Sequence, residues 1–377
     1  MIKKVLSVVV ALVVLLNVKG GFIVNAATVN EEKSIYEKPY IESVSVERNT
    51  NKLLKDIGDI SVKEKLVIKG MKVPLYVTFD SQEEAIINIR SNKVVQEVGR
   101  IYNLDEISTD NWLEYYDAMF DYMESPICPD WLNEGNKDFR VLSNFFDIYE
   151  NKEKNDEIIS ATSVFRKSKN ALNIDYLMLL PYDSFNQVIS NSKTEINKES
   201  LKTSVLGFDV NRGIAYATAH ATSPNTTDYK KFSSDCTNFV SQILENGGVS
   251  QIKYNDENKG WWHVKKSGFF GDKHEHSISW IRADTFAKYM GVTYTTTSNV
   301  NFSNNIQVGD FIAKDTGNDG DWNHMGFVTD RHSYKTNGYY DYKVAQHTTN
   351  YHRWASSDDN AWDKIGADGG RYGRVRR

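Results

Sequence analysis

Cys236, His324 and His347 are the residues whose types and settings suit nucleophilic chemistry on a carbonyl. Cys236 lies in Phe232-Ser233-Ser234-Asp235-Cys236-Thr237-Asn238-Phe239-Val240-Ser241-Gln242, which runs on to Gly247-Gly248. Ser233 or Ser234 suits an N-cap, Asp235 the first turn and the glycine pair the stop. The segment predicts a helix of about three turns that starts just before Cys236. Cys236, Phe239, Val240, Ile243, Leu244 and Gly247 share one face, so the thiol sits where the helix enters the core. A helix N-terminus carries about half a positive charge, which lowers a thiol pKa, and the thiolate is the nucleophile. The helix alone fits a small buried core thiol equally well.

Such a nucleophile needs a base, usually histidine. His324 opens Asn323-His324-Met325-Gly326-Phe327-Val328, which reads as the first position of an apolar strand after a Gly/Asp loop. His347 lies near the end of the following strand, in Gln346-His347-Thr348, where it could orient the base; Asn350 is the second choice. These residues need a helix and a sheet to hold them, and the alternating patterns downstream of Val308-Gly309-Asp310 supply the sheet. Trp261, Trp262 and Trp280 are candidates for a cleft wall, although core packing explains each more simply.

From Phe208 to about Tyr351 the chain resembles a bacterial amidase-domain family, distantly related to the NlpC/P60 and CHAP papain-like peptidases. Arg212 with Ala215-Tyr216-Ala217, the specific block Asp235 to Gln242, Gly247-Gly248, Trp280, Val308-Gly309-Asp310, the His324 strand and the His347 segment carry the resemblance. It implies a papain-like α+β domain with a cysteine helix packed on an antiparallel sheet. It also implies Cys236 as nucleophile, His324 as base and a variable third residue, here His347, in a thiolate–imidazolium site. The implied activity is cysteine-dependent amide hydrolysis on peptidoglycan or a peptide, with no metal or other cofactor. A non-catalytic wall-binding protein and an acyl or transpeptidyl transferase are the rival readings.

The chain has 377 residues, a net charge of −5 and two cysteines, which suggests two folded domains and excludes a disulfide-rich scaffold. A mild acidic excess does not favour nucleic acid as a partner. Lys3, Lys4, the apolar run Val5 to Val18 and small residues at Ala26-Ala27 read as a secretory signal over residues 1–27. The mature protein is then expected outside the cell, free or wall-associated, with no lasting membrane insertion. Residues 28–203 read as a helix-rich α+β domain without recognisable chemistry, and 204–377 as the catalytic domain. In the first of these, Val73–Phe79 predicts one strand. Ser81 to Glu84 predicts a capping box whose helix continues to Ile101, Asp110–Met123 predicts an aromatic-striped helix, and 150–157 predicts an exposed loop. Arg371, Arg374, Arg376 and Arg377 read as a solvated tail. His274-Glu275-His276 lacks an evident third metal ligand, and Asp315 to Gly320 departs from the EF-hand pattern at Gly317 and Gly326.

Overall fold

The computed structural model describes residues 40–48, 52–68, 71–124, 132, 136–168, 179–191, 207–232, 234–254, 257, 259–268, 272–357, 360 and 362–375. The signal segment, Cys128 and the expected 203/204 boundary lie outside them. Strands β1 (Tyr40–Arg48), β2 (Ile60–Ile68), β3 (Met71–Pro74) and β4 (Thr78–Phe79) form an antiparallel sheet in which β2 pairs all three others. The single strand expected over Val73–Phe79 is therefore two. Pro74 cannot donate to a ladder. Beyond it, the Tyr76 N–H donates to Asn155 Oδ1 and the Tyr76 carbonyl accepts from Asn155 Nδ2. A helix side chain thus replaces the neighbouring strand.

Helix α1 (Gln82–Ile89) starts at the expected cap, with Ser81 Oγ accepting the Glu84 N–H. It does not run on to Ile101. Asn92 caps a new helix, α2 (Lys93–Tyr102), by accepting the Val94 and Val95 N–H groups. Helix α3 (Trp112–Glu124) buries Trp112, Tyr115, Met119 and Tyr122. Helix α4 (Lys137–Ser168) runs straight through the expected 150–157 loop. Its polar residues there, Glu150 and Lys154, are an i, i+4 ion pair at 2.6 Å. Such a pair supports a helix as readily as a loop tolerates charge. Helix α5 (Tyr182–Asn191) follows.

The remaining helices are α6 (Val210–His220), α7 (Cys236–Asn246), α8 (Ile278–Ile281), α9 (Ala283–Met290) and α10 (Asn299–Asn305). Two small hairpins precede the main sheet: β5 (Ile252–Lys253) with β6 (Gly260–Trp261), and β7 (His263–Lys266) with β8 (Lys273–His276). The main sheet has six antiparallel strands: β9 (Val292–Thr296), β10 (Phe311–Asp315), β11 (His324–Thr336), β12 (Tyr339–Gln346), β13 (Tyr351–Trp354) and β14 (Arg371–Val375). Their spatial order is β13-β12-β11-β10-β14-β9. The architecture is α+β, with helices on an antiparallel sheet, as expected.

Arg371 and Arg374, expected in a solvated tail, lie instead in the interior strand β14, between β10 and β9, while Arg376 and Arg377 fall outside the described residues. Tyr372 and Val375 are buried in two different cores of the domain, and Arg371 reaches Asp183 at 2.6 Å and Asp315 at 2.9 Å. No described helix is long and apolar enough to cross a membrane.

Candidate active site

Helix α7 packs its apolar face on β11 and its neighbours; Phe239, Val240, Ile243 and Leu244 are all fully buried. Each such side chain contributes roughly 1.5–3 kcal/mol relative to exposure. The polar residues of the motif fix the helix sideways. Asn238 donates to the Lys230 carbonyl and to Asp235 Oδ1, and accepts from the Trp280 indole at 2.8 Å. Ser241 Oγ donates to the Trp280 carbonyl and accepts from the Trp261 indole. Gln242 accepts from the Tyr216 hydroxyl. Trp261 and Trp280 are therefore core braces for this helix.

Asp235 is itself the N-cap, one residue later than expected, yet its carboxylate does not cap helix N–H groups. Thr348 Oγ1 does so from the β12–β13 turn, accepting the N–H of Asp235 at 3.1 Å and of Cys236 at 3.2 Å. Thr348 holds φ at +83°, a region costly for a β-branched residue. The Cys236 N–H, a backbone donor that could serve an oxyanion at such a helix start, is thus already engaged. Thr348→Val should remove the hydroxyl acceptor of two buried N–H groups and cost about 1–3 kcal/mol. Urea unfolding of wild type, Thr348→Val and Thr348→Ser checks this, with the serine variant retaining most of the stability.

His347 lies one residue past β12, where the sequence puts it, and is fully buried. Nδ1 meets Asp235 Oδ2 at 2.7 Å and Nε2 meets the His220 carbonyl at 2.8 Å. The ring stacks on Phe239 with centroids 3.7 Å apart. Both nitrogens face oxygens of other residues, so neither is left to orient His324. Asn350 carries a buried Oδ1 without a hydrogen-bond partner. Gln346 lies near enough to the His324 ring to oppose part of its pKa drop. The Trp362 indole donates to Gln346 Oε1 at 2.8 Å, and Gln346 Nε2 donates to the Thr349 carbonyl. Nε2 of His324 is buried with no hydrogen-bond partner.

His324 opens β11, as expected, and the next residue joins it to the thiol: the Met325 backbone hydrogen-bonds the Cys236 sulfur. Cys236 is a free thiol, 2% exposed, with Thr237 Oγ1 3.6 Å from the sulfur. It lines a cavity of about 380 Å³. His324 lines an adjoining cavity of about 30 Å³ with Lys314 and Thr348. Tyr116, Asp147, Ser234 and Asn323 border both.

Burial sets the electrostatics. Desolvation raises the Cys236 pKa, outweighing hydrogen bonds from Thr237, Met325 and Thr348. Desolvation, with repulsion from Lys314, drives the His324 pKa well below its ordinary value. Desolvation also lowers Lys314, the cross-strand partner of His324, to about 7. The resting pair is a neutral thiol and a neutral imidazole, in contrast to the expected ion pair. A capped helix end does not offset the loss of water.

Residues 207–372 match the family profile described as "Putative amidase domain". This C-terminal part of the chain is similar to that family. The family's name points to amide hydrolysis. A stretch of 100 residues is 31% identical to "Uncharacterized protein YhbB" of Bacillus subtilis (strain 168), covering 26% of this chain and 30% of that relative. The match thus spans under a third of the relative's length. No solved structure matches.

Sequence reasoning missed the contribution of the N-terminal half. Residues 35–377 form one compact unit. Tyr76, Tyr116, Asp147, Glu150 and Lys154 line the Cys236 cavity of the amidase domain. Lys154 spans the join, reaching Asp321 at 3.3 Å. Nothing in the helix periodicity marks these residues, because charge on a helix normally faces water. Among the described residues no group of three or more His, Cys, Asp or Glu is arranged to hold a metal ion. Asp315 is occupied by the Asp319 and Gly320 N–H groups and by Arg371.

Proposed function

We propose that this protein is an exported cysteine amidohydrolase acting on peptide amides, with peptidoglycan the favoured substrate. The observation that carries the reading is the pairing of a thiol at the start of a buried helix with a strand-opening histidine whose Nε2 is unpartnered. They border two cavities that share Tyr116, Asp147, Ser234 and Asn323 in their walls. In this reading the unpartnered Nε2 is the basic nitrogen.

Because the pair rests neutral, attack is general-base catalysed. Nε2 takes the thiol proton as sulfur bonds to the amide carbon. The imidazolium then gives that proton to the departing amine as the C–N bond breaks. Water, activated by His324, cleaves the thioester to release the acid and regenerate the thiol. If an amine takes the place of water, the same site performs acyl transfer. The amidase-family match, the apolar leader with Ala26-Ala27 and the abundance of amides in cell walls support this reading.

The test is incubation of the purified chain with peptidoglycan and mass spectrometry of released fragments. New amino and carboxyl termini are expected; their absence with wild-type protein would refute hydrolysis. Alkylation supplies a second check. A raised thiol pKa keeps Cys236 protonated through neutral pH, so its labelling by iodoacetamide should have a midpoint above the ordinary thiol range of about 8.5. A midpoint below pH 7 would instead indicate a preformed ion pair.

A further inference from the structure

We infer that Asp147 is the docking carboxylate for a protonated primary amine carried by the substrate residue next to the scissile amide. The inference rests on Cys236 being the reacting centre. It goes beyond that reading by naming what the neighbouring pocket selects.

Four carboxylates line the Cys236 cavity: Asp147, Glu150, Asp284 and Asp321. Three of them have lysines. Lys288 meets Asp284 at 2.5 Å, and Lys154 meets Glu150 at 2.6 Å and Asp321 at 3.3 Å. Asp147 has no such contact. Its Oδ2 is buried and has no hydrogen-bond partner. An uncompensated buried carboxylate costs free energy, and a cation that reaches it recovers that cost. Arg282 is the remaining cation of the lining, so a ligand carboxylate is the competing chemistry.

Location makes the vacancy a specificity element. Asp147 borders both the cavity holding Cys236 and the smaller one holding His324. An ammonium on Oδ2 therefore lies beside the reacting pair, within one residue of the amide under attack. The larger cavity, about 380 Å³, accommodates such a residue with its neighbour. Burial and the adjacent acids raise the Asp147 pKa in the empty site. A bound ammonium opposes that shift and favours the ionised form.

The test reads occupancy without using hydrolysis. Iodoacetamide alkylation of the Cys236 peptide is followed by mass spectrometry on the full chain. The protecting probes are Nα-acetyl-lysine methylamide, its Nε-acetylated counterpart and succinate. The free amine should protect at about tenfold lower concentration than the acetylated probe, as one charge-assisted hydrogen bond allows. Asp147→Asn should erase that difference, and Asp147→Glu should keep part of it. Equal protection by the two lysine probes in wild type, protection by succinate alone, or no protection by any probe overturns the inference. The wild-type comparison stands even if a variant folds poorly. Failure of peptidoglycan release with amine protection intact would sink the proposed hydrolysis and leave this site standing.

Discussion

Cys236→Ala should lower amide hydrolysis by on the order of a thousandfold or more, to the background of the protein without a nucleophile. The loss should come with almost no change in fold. Cys236 is fully enclosed, but its side chain adds only a sulfur atom beyond Ala, a loss of about 1 kcal/mol. Helix α7 keeps its cap, because Thr348 bonds backbone N–H groups that the substitution leaves alone. Fragment release from peptidoglycan and urea unfolding, measured on the same preparations, separate the two effects. Unchanged release by Cys236→Ala would favour a binding role over catalysis. His324→Ala should give a comparable loss, since the proposed mechanism uses its unpartnered Nε2 as the base.

Asp235→Ala should be the most destabilising single change near the site, by about 3–5 kcal/mol. Asp235 and His347 are both about 1% exposed and meet at 2.7 Å. Removing the carboxylate strands the His347 ring in the core. It also frees the Phe232 N–H and the Asn238 amide, which Oδ1 accepts at 3.1 Å and 2.8 Å. The contact joins the start of α7 to the β12–β13 turn, so activity should fall with stability. Urea midpoints for Asp235→Ala, His347→Ala and the double variant form the measurement. The double variant should cost far less than the two single changes added together, as expected for groups in contact. Strict additivity would mean that the pair does not couple helix to turn.

The His347 result shows how far local pattern reaches. Its position just after β12 was legible, because period-2 alternation ends there. Its partner was not. Past the strand end, both ring nitrogens go to Asp235 and the His220 carbonyl rather than to His324. That choice depends on the turn at Thr348, whose positive φ no residue-type preference foretells. The motif block was read as a cysteine helix with an apolar face. Its polar residues turned out to brace that helix against Trp261, Trp280 and Tyr216.

Helix α4 is the larger surprise. Residues 150–157 looked like an exposed loop because they alternate Lys, Glu, Asn and Asp. Charge of that kind fits equally well on a helix whose ion pairs run i, i+4, and Lys152–Asp156 and Glu150–Lys154 both do so. Only docking against the amidase domain turned part of that charged face into a cavity wall.

By itself the sequence determined the helix around Cys236, the strand opened by His324, the α+β class and the likeness of residues 207–372 to the amidase-domain profile. These follow from short-range periodicity and from residue types that a few neighbours fix. The tertiary structure decided that Thr348 caps the cysteine helix, that burial pushes the thiol pKa up and the imidazole pKa down, and that α4 walls the cleft. Each of these depends on groups more than 80 residues apart in the chain or on loss of water around a charge, and neither is written in the spacing of nearby residues.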